Sequence, residues 1–138
     1  MVHDSDNQTF YLEIVTPEAL SYAGQVSRVD IPGIEGMFGV LPNHAPLIAA
    51  LDSGVVTIIA NGTEVAKRFF VMGGVAEVTQ ERCTILASSL VDIETVNRTE
   101  VEKEVVELAS KLKATVNMDE KIRLQQRLLQ LDGLLRAL

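Results

Sequence analysis

Val55-Val-Thr-Ile-Ile-Ala-Asn-Gly-Thr-Glu-Val-Ala-Lys-Arg-Phe-Phe-Val71 sets two runs rich in β-branched and aromatic residues on either side of Asn61-Gly62. Asn and Gly both tolerate the positive φ of a tight primed turn. The stretch therefore predicts a β-hairpin in which Val55–Ile59 returns as Glu64–Val71. Working outward, Phe10–Val15 ends at Thr16-Pro17, and Val26–Ile31 ends at Pro32-Gly33. Gly73-Gly74 breaks the chain before Val75–Val78, and Arg82–Ala87 closes the series. Leu12 and Ile14 alternate with Tyr11 and Glu13, the period of a strand with one dry and one wet face. Short strands at this spacing predict an antiparallel β-sandwich of about 90 residues rather than a parallel α/β sheet.

The pattern changes after residue 94. Asn97-Arg-Thr-Glu100 places a capping Asn three residues before a Glu, and Asn117-Met-Asp-Glu120 repeats the arrangement. Apolar residues now recur at helical spacing: Val101, Val105, Leu108 and Leu112, then Leu124, Leu128, Leu131, Leu135 and Leu138. No Gly or Pro interrupts either stretch before Gly133. Two amphipathic helices joined near Ala114–Val116 should pack as an antiparallel hairpin. Helices of this length are marginal alone, so tertiary contacts must hold them. A short seam suits either a permanently docked hairpin or a mobile one. The expected division is a sandwich over 1–94 and a helical hairpin over 95–138.

Charge and composition follow the same divide. Residues 1–95 carry four Lys/Arg against twelve Asp/Glu, a balance of −8; residues 96–138 carry eight against seven, a balance of +1. All four prolines and eight of nine glycines precede residue 75. A net charge of −7 repels phosphate backbones, and the absence of Trp argues against base stacking, so no nucleic-acid partner is expected. The opening Met1–Gln8 is polar and acidic, unlike a signal peptide. No apolar run approaches the ~20 residues that span a bilayer. Cys83 is the sole cysteine, sits in an expected strand and reads as a small buried apolar residue.

The chemistry-bearing residues are few. Gly33, Gly36 and Gly39 give backbone freedom to what reads as a tight exposed loop carrying Glu35 and Met37. Pro42 and Pro46 stiffen the segment around His44. No second His stands nearby, since His3 is in the polar tail, and no Cys or carboxylate sits at ligand spacing. His44 is thus expected to serve the turn or an interface rather than catalysis. Gly33–Gly39 reads Gly-x-x-Gly-x-x-Gly, which is neither a dinucleotide fingerprint nor a Walker loop. No nucleophile–base pair or metal set supports an enzyme, so no catalytic residue, metal or cofactor is expected.

Three segments carry a family likeness. Asp30-Ile-Pro-Gly-Ile-Glu-Gly-Met-Phe-Gly-Val-Leu-Pro-Asn-His-Ala-Pro-Leu47 resembles the signature of F-type ATP synthase epsilon subunits, called delta in mitochondria. Phe69-Phe-Val-Met-Gly-Gly-Val-Ala-Glu-Val78 and Leu12-Glu-Ile-Val-Thr-Pro-Glu18 are similar to further hallmarks of that family. With the helical hairpin in its place, the likeness spans essentially the whole chain. It implies a non-catalytic rotor subunit in the central stalk, beside the gamma subunit and on the c-ring, coupling proton-driven rotation to the catalytic head. It implies ring or gamma contacts at Glu35, Met37, His44 and Leu47. It also implies a peripheral place on the cytoplasmic face of a bacterial inner membrane, or the organellar equivalent, reached only through the complex.

In many bacterial members the hairpin inhibits ATP hydrolysis when extended into the alpha/beta head. The residues that the resemblance marks for such contacts are Lys121, Arg123, Arg127 and Arg136, which also read as an ordinary solvated face. Some members bind ATP through an Ile/Leu-Asp-x-x-Arg-Ala motif, from which this sequence departs. Arg follows the acidic residue one position late in Met118-Asp119…Arg123, Leu131-Asp132…Arg136 and Ile93-Glu94…Arg98. That spacing suits intrahelical ion pairs, worth only ~0.3–0.5 kcal/mol each. The competing reading is a stand-alone β-sandwich adaptor that self-associates through its leucine stripe.

Overall fold

The computed structural model describes residues 8–138. Ten strands come first: β1 (Phe10–Val15), β2 (Leu20–Val26), β3 (Arg28–Gly33), β4 (Gly36–Val40), β5 (Leu47–Leu51), β6 (Gly54–Ile59), β7 (Lys67–Val71), β8 (Gly74–Val78), β9 (Arg82–Ala87) and β10 (Leu90–Asp92). Two helices follow, α1 (Arg98–Ala114) and α2 (Met118–Ala137). The chain divides into two compact units, the first ending at Asp92 and the second running Ile93–Leu138.

The strands form one sheet in the order β10-β7-β6-β3-β5-β8-β9-β1-β2, with β4 added to β3. It curls upon itself at β3, whose start pairs with β6 and whose last residue, Gly33, pairs with Leu51 of β5. The inward faces meet in a sandwich-like core. Leu12 and Ile14, Val29 and Ile31, Val56 and Ile58, and Val78, Cys83 and Ile85 are its buried rungs. The alternation in β1 is that of the sequence, with Phe10, Leu12 and Ile14 buried and Tyr11, Glu13 and Val15 half-exposed.

The pairings are antiparallel with one exception: β1 lies parallel to β9, Leu12 beside Cys83 and Ile14 beside Ile85. A long crossover separates these strands, so no hairpin turn constrains their direction. The Gly73-Gly74 break is enforced sterically. Gly73 and Gly74 adopt φ of +78° and +130°, and a Cβ on Gly74 would lie 2.1 Å from the carbonyl oxygen of Leu86.

Three local expectations need correction. The β6–β7 hairpin forms, but not through a two-residue turn: Lys67 is the first paired residue of β7, opposite Ile58. Gly62 has φ of +72° while Asn61 does not have the positive φ that a type I′ turn needs at both central positions. The run Val26–Ile31 spans two strands, because the chain passes from β2 to β3 at Ser27, whose N–H and hydroxyl both donate to Ile59 O. Gly33–Gly39 is largely strand: β3 turns at Ile34-Glu35 into β4, with Pro32 opposite Met37.

The second unit is an antiparallel helical pair. Asn97 and Asn117 cap α1 and α2, their side chains accepting from the N–H of Glu100 and Glu120 at 3.1 and 3.0 Å. Capping leaves fewer orphan N–H groups at each helix start. The helices pack against each other and are joined by Arg127 Nε donating to Glu104 Oε1 at 3.3 Å. The buried face of α2 centres on Leu131 and Leu134. Leu134 was absent from the expected stripe, and Leu138, which was in it, caps the helix with 37 % of its surface exposed. Gly133 does not interrupt α2.

Candidate functional site

The β3–β4 turn and β5 together build a groove of about 390 Å³, bordered by Ile34, Glu35, Met37, Phe38, Leu47 and Ile48. Three of the four contact residues expected from sequence, Glu35, Met37 and Leu47, thus come together. Glu35 stands at the turn, Met37 on β4 and Leu47 at the start of β5. The groove is apolar at its rim: Ile34 is 65 % exposed, Met37 61 % and Ile48 74 %. Ile34 and Ile48 were not singled out in the sequence. The signal was a large apolar residue outside any alternating strand pattern, Ile34 in a glycine-flanked turn and Ile48 two residues after Pro46.

The apolar surface continues away from the groove. Ile34 donates its N–H to Ala50 O, tying the turn to β5. From Ala50 a cross-strand row runs through Val75 of β8, Leu86 of β9 and Val15 of β1 to Leu20 of β2. Val75, Leu86 and Leu20 are all exposed. One row along the strands, Ile48, Glu77, Thr84 and Glu13 lie side by side, bringing two carboxylates next to the apolar band. Arg82 is bridged to Glu13 at 3.1 Å and lies over the Tyr11 ring.

His44 lies outside the groove, in the loop between β4 and β5. Pro42 and Asn43 occupy the centre of a turn closed by His44 N–H donating to Leu41 O at 3.2 Å. Asn43 has φ of 64°, which Pro-Asn sequences accommodate in type II turns. The His44 ring faces the carbonyl of Ala45, with Nδ1 donating at 2.7 Å. His3 lies outside the described residues. Among the described residues no group of three or more His, Cys, Asp or Glu is placed to hold a metal. Burial raises the Cys83 thiol to about 12, so it is protonated and inert at neutral pH.

The four basic residues on α2 are not gathered. Helical spacing sets Arg123 and Arg127 on one side and Lys121 and Arg136 on the other. Arg127 reaches Glu104 on α1, and Arg136 pairs with Asp132 at 3.0 Å, the four-residue spacing read from sequence. Arg98 pairs forward with Glu102. A separate stripe on α2, Met118, Ile122 and Leu129, lies within a narrow arc of the helix and is exposed. No helix among the described residues is long and apolar enough to cross a membrane.

Residues 9–93 match the family described as ATP synthase, delta/epsilon chain, β-sandwich domain. The chain is 40 % identical over 104 residues to the ATP synthase epsilon chain of Nitrobacter winogradskyi, covering 75 % of this chain and 76 % of that one. It is 47 % identical over 79 residues to the ATP synthase epsilon chain of Rhodopseudomonas palustris, covering 57 % of each. Its fold resembles a chain of the Euglena gracilis mitochondrial ATP synthase, with a TM-score of 0.78 at 20 % identity over 94 % of this chain and 81 % of that one. It also resembles a chain of the Tetrahymena thermophila mitochondrial ATP synthase central stalk and c-ring structure, with a TM-score of 0.64 at 18 % identity over 94 % and 96 %. The chain therefore belongs to the ATP synthase delta/epsilon family, as an epsilon-type, non-catalytic subunit.

Proposed function

We propose that this chain, an epsilon-type subunit of the F-type ATP synthase central stalk, couples the c-ring to gamma through one continuous apolar surface. The observation that carries this reading is the groove at Ile34, Met37, Leu47 and Ile48 running into the Ala50–Val75–Leu86–Val15–Leu20 row. Large exposed apolar patches mark interaction surfaces on soluble folds. The groove end, with Glu35 at its lip, faces the polar loops of the c-ring. The sheet row takes gamma, and Glu13 and Glu77 beside it favour a partner surface rimmed by basic groups. His44, in the rigid Pro42–Pro46 turn, lies at the edge of this contact. Residues 1–94 thus form the coupling domain, held on the cytoplasmic face of a bacterial inner membrane through its partners alone.

The hairpin over 95–138 is the regulatory part. The exposed stripe Met118, Ile122 and Leu129 supports a contact with the alpha/beta head, with Lys121 and Arg136 adding charge on that side of the helix and Arg123 and Arg127 turned to the other. With the family shown, the stand-alone adaptor gives way to this reading.

The test is reconstitution of an ATP synthase depleted of this subunit, following binding and ATP hydrolysis together. Full-length chain is compared with an Ile34→Asp/Ile48→Asp variant and with a chain ending at residue 94, each first checked for folding by circular dichroism. Coupling through the apolar surface predicts that only the double variant fails to bind. Regulation by the hairpin predicts that the shortened chain binds yet leaves hydrolysis higher. Full binding by the double variant would remove the coupling surface from this face.

A further inference from the structure

The β6–β7 loop, residues 60–66, carries Asn61-Gly62 in a setting that no coupling role uses. Both residues are exposed, and no heavy atom lies within 4 Å of the position a Gly62 Cβ would take. Glycine after asparagine favours intramolecular ring closure, because it carries no side chain to hinder approach of its backbone nitrogen to the asparagine Cγ. We propose that Asn61 is a site of spontaneous covalent modification, converting to aspartate and isoaspartate through a succinimide formed with Gly62.

The step balances with water alone. The Gly62 backbone nitrogen, having lost its proton, attacks Cγ of Asn61. The N–Cγ bond forms, the Cγ–Nδ2 bond breaks, and ammonia departs carrying the proton that the backbone nitrogen gave up. Water then opens the five-membered ring at either carbonyl. One opening restores the backbone with an aspartate; the other routes it through the side chain as isoaspartate. Either product adds a negative charge to the loop.

The remaining described asparagines are held against this reaction. Asn43 donates through Nδ2 to Gln8 Oε1 at 2.9 Å and precedes the bulky His44. Asn97 and Asn117 accept from Glu100 and Glu120 N–H as helix caps and precede Arg98 and Met118. The structure also separates Asn61 from the groove. β3 begins at Arg28, paired with Ile59, and ends at Gly33, paired with Gly36. The Asn61 loop and the Ile34-Glu35 turn are therefore at opposite ends of β3. The ladder beside the loop stays closed by Ala66 N–H donating to Ile58 O at 2.8 Å.

The experiment ages purified full-length chain in warm, mildly alkaline buffer prepared with oxygen-18 water. Isoelectric focusing, ammonia release and peptide mapping are followed together, beside an Asn61→Gln variant whose larger ring closes more slowly. The expected result is an acidic band shifted by a single charge, label and isoaspartate at position 61, and loss of that band in the variant. The thermal melt of the aged chain should match that of fresh chain. An acidic band that grows equally in Asn61→Gln, or a position 61 that keeps its amide throughout, would overturn the proposal.

Discussion

Arg127 of α2 reaches Glu104 of α1, Nε to Oε1 3.3 Å, so a residue marked by the family resemblance for contacts with the catalytic head is engaged within the hairpin itself. Both side chains are about two-fifths exposed, 42 % and 41 %, which limits the strength of the pair. A double-mutant cycle on Arg127→Ala and Glu104→Ala should return a coupling of ~0.2–1 kcal/mol, shrinking as salt is raised. A coupling that is absent at low salt would mean the pair does not help hold the hairpin.

Gly74 sets the β7–β8 connection. A Cβ there would meet Leu86 O at 2.1 Å and Ala87 Cα at 2.9 Å, at a φ that side chains rarely adopt. Gly74→Ala should cost about 3 kcal/mol or more, since the obstacle is backbone of the neighbouring strand and has no rotamer to shift. Gly62→Ala, at positive φ but in open space, should cost only about 1 kcal/mol. Denaturant unfolding of the two variants side by side checks the order.

The helix caps act locally. Asn97→Ala and Asn117→Ala each remove one side-chain bond to a helix-start N–H and should cost about 1 kcal/mol apiece. Helical circular dichroism should fall in both variants, while the β-sheet signal of the first unit is unaffected. Replacement by Asp should retain most of the stability, because its carboxylate still accepts from the same N–H.

Cys83 gives stability a dependence on alkaline pH. Its thiol is raised from an ordinary 9.0 to about 12 by burial, so the folded chain keeps the proton after the unfolded chain has released it. The contribution is full below about 9 and is lost progressively as pH rises toward 12. Cys83→Ala should flatten this part of the pH–stability profile. Iodoacetamide should label Cys83 readily only after unfolding.

Exposed positions in the groove should separate folding from binding. Ile48→Asp changes a side chain that is 74 % exposed in the free chain and, set opposite Glu77, should cost no more than about 1 kcal/mol of its stability. Its affinity for the depleted ATP synthase should fall by at least about 1 kcal/mol if Ile48 is a buried anchor in the complex. Parallel thermal melts and binding titrations decide between a structural and an interfacial role.

Much of this protein was determined locally. The period-two alternation of Phe10–Val15, the change to helical spacing after residue 94, and the Asn caps at 97 and 117 all depend on near neighbours in the chain. Those features were therefore legible, as were the family signatures in Asp30–Leu47 and Phe69–Val78. Strands built by distant partners were not. Leu47–Leu51 reads Leu-Ile-Ala-Ala-Leu, without polar alternation and with modest β propensity, yet it is a strand because β8 pairs along its whole length. Gly36–Val40 looked like loop because of its glycines and became strand by pairing with β3. The parallel β1–β9 pairing, the meeting of Met37 with Leu47, and the apolar row from Ala50 to Leu20 also depend on register between segments far apart in sequence. Local composition carries no register; only the closing of the sheet decides which outward side chains become neighbours.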